Sequence, residues 1–582
     1  MRVAAGATLL EAAQRAGVVL NTACGGAGRC GKCAVEVAGR RVLACQTAVQ
    51  GDAAVLVPEG TRFFEQKILE EGISRQAAVE PAVAKRFVRV ARPSLQDLRS
   101  DAQRLQAALK EATGRDDWTI AAAALRELPQ ALRTSAFGVT AVLRGEQVIA
   151  AEGGDTTAEL YGVAVDVGTT TVVASLVDLG TGRTAATASM TNPQAAFGDD
   201  VISRIHHSER EGGLAALQER VVGCVNELVA RLCGQGQVAA GRVYELVAAG
   251  NATMQHLLLG VPAGQLAQAP YVGAFSAGVN AAARELGVAI HPAGNVYVLP
   301  GVAGHVGGDT VAVALATAIR QGQGVALALD VGTNGEVLAA AGGRVLACST
   351  AAGPAFEGAR IRHGMRGATG AIERVRIAAD VEIEVIGGGP AAGICGSGLI
   401  DAVAALLEAG VLEASGRLLA AGEVPPSGPE AVWRRLVLRD GQKEFVLAEA
   451  ERSRRGEPIA LSQQDVREVQ LGKAAIRAGT EVLLEELGAN WRQVERVYLA
   501  GAFGNYVRPA SAVRLGLLGP VGLERIVPVG NAAGAGAREV LLSRSARRLA
   551  ERLAREIEYV ELAGRTRFEE LFQKNLSFPP NG

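Results

Sequence analysis

Tyr161-Gly-Val-Ala-Val-Asp-Val-Gly-Thr-Thr170 recurs 164 residues downstream as Val325-Ala-Leu-Ala-Leu-Asp-Val-Gly-Thr-Asn334. Each copy is an apolar run ending in Asp-Val-Gly-Thr, and each is followed by a second apolar run, Thr171 to Asp178 and Glu336 to Ala340. Short apolar runs bounded by glycine read as buried strands. Two strands joined by an acidic glycine turn, present twice, imply a duplicated half-domain with two lobes facing a cleft. The hairpin has a chemical use. Its glycine lets the backbone approach a phosphate with no Cβ in the way. Successive N–H groups and threonine hydroxyls donate to phosphate oxygens, and the aspartate suits hydrated Mg²⁺. One Asp-x-Gly-Thr alone is more often an ordinary β-turn. Two copies at the same place in two repeats argue for a triphosphate gripped from both sides.

A third element completes the pattern. Arg496-Val-Tyr-Leu-Ala-Gly501-Ala-Phe-Gly504-Asn-Tyr506 reads as a strand ending in a glycine turn suited to an adenosine. Ser511 to Leu518 reads as an apolar, small-residue helix packed between the lobes, and Gly307-Gly-Asp309-Thr310 opens a similar helix. This order resembles the actin, Hsp70 and sugar-kinase superfamily over about residues 158–578. The resemblance implies a duplicated ribonuclease-H-like fold closing on ATP and Mg²⁺. It makes Asp166, Gly168, Thr169 and Thr170 the first phosphate segment and Asp330, Gly332, Thr333 and Asn334 the second, with Gly501, Ala502, Phe503 and Gly504 at the adenosine. Phosphoryl transfer needs mainly positioning and charge neutralisation, so Asp166 and Asp330 are the candidate catalytic and magnesium-binding carboxylates.

The N-terminus carries a different chemistry. Cys24-Gly-Gly-Ala-Gly-Arg-Cys30-Gly-Lys-Cys33 is followed after eleven residues by Cys45. Thiolates at these spacings suit a [2Fe–2S] cluster, three on one tight loop and the fourth from the next hairpin. The first gap is five residues, as in hydroxylase-type ferredoxins, rather than the four of the plant type. A zinc site or a disulfide pair are the alternatives. Zinc usually shows two separated C-x-x-C pairs, and only Cys30 to Cys33 forms one here. The other cysteines, Cys224, Cys233, Cys348 and Cys395, sit among apolar neighbours and read as small buried residues. Cys395 also precedes a helix whose N-terminus could lower its pKa.

The expected organisation is multidomain α/β. Residues 1–60 resemble a β-grasp ferredoxin: a helix over Thr8 to Ala16, strands at Ala34 to Val37 and Arg41 to Leu43, and a last strand over Asp52 to Pro58. Only Met1-Arg2-Val3 precedes the Gly6 turn, so the first strand of that fold is missing or lies upstream. Residues 61–81 read as a helical linker. Residues 82–157 read as a small α+β domain, with strands at Phe87 to Ala91, Gly138 to Leu143 and Gln147 to Ala151, and helices over Leu95 to Glu111 and Ile120 to Glu127. The ATPase domain spans 158–582, its lobes being 158–324 and 325–582.

The net charge of −1 offers no steering toward nucleic acid or an anionic membrane. Aromatic content of 4% is low for base stacking. No apolar run reaches the roughly 18 residues of a membrane span, and Met1 to Gly17 lacks a signal-peptide core. A soluble, cytoplasmic protein of a reducing compartment is expected. His206, His207, His256, His291, His305 and His363 show no metal spacing, and Arg360, Arg362 and Arg366 line the cleft, meet a partner or form a solvated face.

Further stretches narrow the resemblance: Gly250-Asn-Ala-Thr-Met-Gln-His256, Ser349-Thr-Ala-Ala-Gly-Pro-Ala-Phe-Glu357-Gly, Gly364-Met-Arg-Gly367, Ile394-Cys-Gly-Ser-Gly-Leu-Ile-Asp401, Ala500-Gly-Ala-Phe-Gly-Asn505 and Gly530-Asn-Ala-Ala-Gly534. With the N-terminal cysteines they resemble the reductive activators of corrinoid-dependent proteins. That resemblance implies an ATP-dependent transfer of one electron from a [2Fe–2S] cluster to Co(II) of a corrinoid protein of a methyl-transfer system, restoring Co(I). It also implies a low-potential electron donor and a homodimer. Three other readings compete: a small-molecule kinase with a fused redox sensor, an activator of a radical dehydratase, and a chaperone-like binding ATPase.

Overall fold

The computed structural model describes residues 2–580 apart from 5, 17, 19, 21–27, 29–32, 59–77, 333, 359 and 424–428. The N-terminal unit opens with a helix over Leu9–Arg15. Thr8 and Glu11 fix its start reciprocally: the Glu11 N–H donates to the Thr8 hydroxyl at 3.1 Å and the Thr8 N–H to the Glu11 carboxylate at 2.7 Å. Three antiparallel strands follow, in the sheet order Arg40–Leu43, Ala34–Val37, Val55–Leu56. The strand expected over 52–58 is paired only at Val55 and Leu56. Leu9, Leu10, Leu20, Val35 and Ala44 form the small core, together with Cys33 and Cys45. Most of the expected linker helix, 59–77, lies outside the described residues.

The next unit is a four-stranded sheet, ordered Val83–Arg89, Gly138–Arg144, Gln147–Gly153, Thr119–Ile120. Helices Asp101–Thr113 and Ala122–Thr134 cover one face. The first helix starts at Asp101 rather than Leu95 because Ser100 and Gln103 form a reciprocal cap. The buried Arg104 holds the preceding turn by donating to the Asp97 carboxylate at 2.9 Å and the Arg99 carbonyl at 3.1 Å. Leu95 and Leu98 are left exposed. Val83, Val142, Ile149 and Ala150 face the other way and join the core of the large domain. A buried knot fixes that junction: Lys85 donates to Glu152 at 2.6 Å, and Arg242 of the large domain reaches the same carboxylate at 2.6 Å.

Beside two small three-stranded sheets (Ala371–Ile377, Val381–Val385 and Gly393–Ile394; Leu436–Arg439, Gln442–Ala448 and Ile459–Ser462), two six-stranded sheets make up the rest. The first has strands β1 (Tyr161–Val167), β2 (Thr171–Asp178), β3 (Thr184–Thr191), β4 (Val243–Ala249), β5 (Val279–Ala282) and β6 (Asn295–Val298), in the order β3-β2-β1-β4-β6-β5. The second has β7 (Val325–Val331), β8 (Gly335–Ala341), β9 (Arg344–Thr350), β10 (Val494–Ala500), β11 (Ile526–Gly530) and β12 (Glu558–Tyr559), in the order β11-β10-β7-β8-β9-β12. The repeat is therefore topological as well as sequential. In each lobe a hairpin and its third strand run antiparallel, and two further strands add parallel to the first. The inner strands are apolar throughout, as burial on both faces requires.

Six helices matter for the cleft: α1 (Ala252–Leu259), α2 (Gly308–Thr317), α3 (Gly396–Glu408), α4 (Gly501–Tyr506), α5 (Pro509–Leu515) and α6 (Ala532–Leu542). The helix expected between the lobes, Ser511 to Leu518, is not there. Ser511 bonds the buried Asp401 of α3, and Ala512, Leu515 and Leu518 lie in the second lobe's own core. The interlobe pair is α2 with α6, whose Val311, Ala314, Ala533 and Ala537 share one cluster with residues of both sheets. Small residues are needed there, because a Cβ on Gly536 would stand 2.2 Å from the Ala312 carbonyl oxygen. Gly536→Ala is expected to destabilise the two-lobe unit by about 1–3 kcal/mol. Gly223→Ala, in the helix Gly213–Gly236 with open space around it, should instead stabilise by roughly 0.5–1 kcal/mol. Calorimetry of both variants checks the contrast, and a neutral Gly536→Ala would contradict the tight crossing.

Candidate functional site

Both glycine hairpins end at one cleft between the lobes. Asp166 stands next to last in β1 and Asp330 in β7. Asp330 pairs across the ladder with Glu336, so both side chains share a face. Asp309 enters from the first turn of α2. Asp166, Asp309, Asp330 and Glu336 all line the cleft. Burial, with repulsion from Asp330 and Asp309, pushes the Asp166 carboxyl up to about 8. Burial and Asp309 push Asp330 up to about 7. Asp309 and Glu336 move the same way, chiefly through burial. Asn531, the cap of α6, hydrogen-bonds Asp166 and partly offsets the shift. Among the described residues no three His, Cys, Asp or Glu side chains converge closely enough to ligate a metal directly. The donor set of four carboxylates is of the hard oxygen type that cations such as Mg²⁺ take.

The first hairpin is fixed from behind. Asn192 Nδ2 donates to the Gly168 carbonyl at 2.9 Å and Arg204 Nη2 to the Thr169 carbonyl at 2.6 Å. Asn251, the cap of α1, donates to the Thr169 hydroxyl at 2.9 Å. Gly168 is required by the turn itself, since its Cβ would meet the Thr171 carbonyl oxygen at 2.6 Å. Gly332 meets no such obstacle in the second hairpin; the nearest atoms to a Cβ there are 3.6 Å and 3.8 Å away. Its bareness serves the cleft rather than the turn. Thr170 Oγ1 crosses the cleft to donate to Glu357 Oε2 of the second lobe at 3.0 Å. Gly168, Thr169, Thr170, Gly332 and Asn334 line the cleft with the acids, while Thr333 lies outside the described residues.

The expected adenosine loop is resolved differently. Residues 501–506 form a short helix, not an open turn. Gly501, at φ +79°, lines the cleft against Asp330, and a Cβ would stand 2.4 Å from its Oδ1. Gly504 is buried against the Leu499 backbone, which a Cβ would approach to 2.7 Å. The structure thus places Gly501 beside the acid cluster and Gly504 in helix packing. Ala502 and Phe503 fall within the helix.

Of the arginines near Glu357, Arg366 lines the cleft and Arg362 bonds the buried Glu444. Cys395 also faces the cleft, but burial outweighs the lowering by the N–H groups of the helix start, and the net shift of its thiol is upward. Four lining residues, Asp309, Glu336, Glu357 and Asn531, were not named as site residues in the sequence reading. Asp309, Glu357 and Asn531 lay inside quoted motifs. Glu336 becomes visible only through the strand register.

At the N-terminus, Cys33 and Cys45 bring their sulfurs to 3.3 Å in the core of the small unit. The Gln46 amide lies 3.6 Å from the Cys45 sulfur as a donor. A buried, unbridged thiol pair with an amide donor fits thiolate ligation of an iron–sulfur cluster. Cys24 and Cys30 lie outside the described residues. Cys224 and Cys348 are buried, with thiols pushed up by burial, and have no part in either site. No helix among the described residues is long and apolar enough to cross a membrane.

Similarity to known proteins covers nearly the whole chain. Residues 1–53 match the "2Fe-2S iron-sulfur cluster binding domain", 72–158 the "RACo linker region", 161–322 the "RACo middle region" and 324–582 the "C-terminal domain of RACo the ASKHA domain". A corrinoid activation enzyme, RamQ of Eubacterium limosum, is 31% identical over 97% of this chain and 95% of its own. A Methanosarcina barkeri reductase of a Co(II) methylated amine-specific corrinoid protein is 29% identical over 66% of this chain and 71% of its own. The solved structure of a reductive activator for corrinoid, iron–sulfur protein superposes with a TM-score of 0.78 at 34% identity, covering 100% and 97% of the two chains.

The raised carboxylates generate a pH dependence of known sign. Between pH 6 and 8 the empty cleft loses protons, so repulsion grows and the free protein loses stability. A cation must displace those same protons, so its affinity rises over the same window. Mg²⁺·ATP is expected to bind about tenfold more tightly per pH unit for each proton displaced, with thermal stabilisation by Mg²⁺·ATP larger at pH 8 than at pH 6. Affinity that is flat across this range in titration calorimetry would show that the quartet does not receive the cation.

Proposed function

Since the chain belongs to the family of reductive activators of corrinoid proteins, we propose that it is an ATP-dependent activator that passes one electron from an N-terminal [2Fe–2S] cluster to Co(II) of a corrinoid protein of a methyl-transfer system. What carries the reading is the presence in one chain of the buried Cys33–Cys45 thiol pair and an acid-floored cleft between two glycine hairpins. The chaperone-like alternative leaves the thiol pair without purpose, and the kinase alternative is not favoured, since the relatives are a corrinoid activation enzyme and a corrinoid-protein reductase.

The physical logic concerns direction. Plant-type [2Fe–2S] clusters lie near roughly −400 mV, and the family's Co(II)/Co(I) couple lies lower. Every 59 mV is about tenfold in the equilibrium constant for one electron, so contact alone would leave little Co(I). Nucleotide binding can supply the difference only by changing which complex is stable. When bound, the cluster supplies the electron, held by Cys24, Cys30, Cys33 and Cys45. Asp166 and Asp330, with Asp309 and Glu336, hold hydrated Mg²⁺ beside the phosphates. Gly168, Thr169, Thr170, Gly332, Thr333 and Asn334 present backbone and side-chain donors to phosphate oxygens. Thr170, on one lobe, and Glu357, on the other, already meet across the cleft, so a ligand between them changes how the lobes are joined. A low-potential donor recharges the N-terminal unit, and a homodimer in the cytoplasm is the working assembly.

Co(I) formation followed by absorbance on a purified Co(II) corrinoid protein tests this. The reduced full-length chain should yield Co(I) only with Mg²⁺·ATP. Asp330→Asn should cost on the order of 10² in rate while leaving the cluster's EPR signal intact, whereas Cys33→Ser should lose that signal and all electron delivery. Complete reduction without nucleotide would remove the reason for the ATPase.

A further inference from the structure

Glu357 stands apart from the other acids of the cleft. The quartet interacts within itself, whereas Glu357 is attracted by the positive charge of Arg366 and, more weakly, of Arg204. Its position is over-determined. It ends a short turn, Pro354–Glu357, whose Ala355 and Phe356 are buried in the second lobe's core. The next residue, Gly358 at φ +78°, passes so close to the Met365 backbone that a Cβ would meet its oxygen at 2.4 Å. The start of α3 packs on the Phe356 carbonyl, which a Cβ on Gly396 would meet at 1.8 Å. The carboxylate bonds the first phosphate hairpin and faces the second: Thr170 donates to Oε2 at 3.0 Å, and Oε1 is 3.8 Å from where a Cβ on Gly332 would be. A phosphate held by both hairpin tips therefore lies against Glu357.

We propose that Glu357 is a catalytic residue that aims and deprotonates the water attacking the terminal phosphate of ATP, with Arg366 holding its charge. The inference rests on the nucleotide reading above and assigns a role within that cleft. The Thr170 hydroxyl has one proton to donate. In the structure it goes to Glu357; an arriving phosphate oxygen competes for it and opens one acceptor position of the carboxylate to water. The water oxygen then bonds to the γ-phosphorus, and the bond from that phosphorus to the β,γ-bridging oxygen breaks. ADP leaves with the electron pair, and the water proton passes to Glu357. Because the transition state of such transfers is loose, aiming the water is the larger part of the contribution.

A carboxylate beside a triphosphate opposes binding while serving the reaction, and that opposition separates a catalytic role from a structural one. In single-turnover hydrolysis with the full-length chain in excess, Glu357→Gln should lower the rate by on the order of 10²–10³. Its affinity for Mg²⁺·ATP, measured by titration calorimetry, should be unchanged or tighter. Glu357→Asp should recover part of the rate. Turnover of Glu357→Gln within a few-fold of wild type overturns the assignment. So does a parallel loss of binding and turnover, which would make Glu357 a brace for the hairpin. A wild-type chain that neither binds nor cleaves Mg²⁺·ATP would remove the nucleotide reading itself, and this inference with it.

Discussion

Mutual repulsion among buried carboxylates governs the large domain. Asp166 and Asp330 come from equivalent positions of the two lobes, and the fold drives both toward one cleft, where Asp309 and Glu336 already stand. Burial penalises each negative charge, and the others compound the penalty. The lobes nevertheless remain together, because α2 and α6 cross at backbone distance and bury an apolar cluster shared by both sheets. Packing thus holds the lobes together at the back of the cleft, while crowding of the carboxylates in front raises the cost of ionising them. A cation, or a proton, relieves only the second term.

The sequence makes the duplication and its acids plain, because strand, aspartate, glycine and threonine are local signals that survive in each copy. The topology adds what a linear reading lacks. Glu336 joins the site only through its ladder pairing with Asp330, a register set by the turn between β7 and β8; the equivalent partner of Asp166 is Val173. The copies are alike in form and unlike in charge, which no composition reveals. The interlobe helix shows another limit. Ser511 to Leu518 and Ala532 to Leu542 are both small and apolar, and periodicity cannot choose between them. What decides is Asp401, which ties Ser511 and Arg508 to the second lobe and leaves α6 as the element free to cross. The early helix was misplaced by six residues for a similar reason: the Ser100–Gln103 cap outweighs the apolar spacing that begins at Leu95.

Gly501 and Gly504 illustrate how one motif can divide its labour. Both lie in Ala-Gly-Ala-Phe-Gly-Asn, and both lack a side chain because an atom would clash. At Gly501 the obstacle is a carboxylate oxygen of the site, and at Gly504 it is backbone of the preceding strand. Sequence alone assigns both to a ligand, whereas geometry gives one to the cleft and one to the scaffold. The thiols follow the same lesson from the other side. Cys33 and Cys45 are buried among apolar residues just as Cys224 and Cys348 are. They differ in having a sulfur neighbour at 3.3 Å and an amide donor nearby.

The two chemistries are joined by a continuous piece of backbone. Asn531 bonds Asp166 at the floor of the cleft and caps α6. That helix ends at Leu542, whose carbonyl accepts the Glu80 N–H at 2.8 Å, and the Arg544 N–H returns to the Glu80 carbonyl at 2.9 Å. Glu80 follows closely on residues 59–77, the stretch that leads back to the cysteine unit. The acid floor and this clasp lie at the two ends of the helix whose Gly536 crosses α2 at backbone distance. A helix packed that closely moves as a body, since its neighbours leave no room for local yielding. One end of α6 thus bonds Asp166 through Asn531, and its other end is paired in backbone with Glu80.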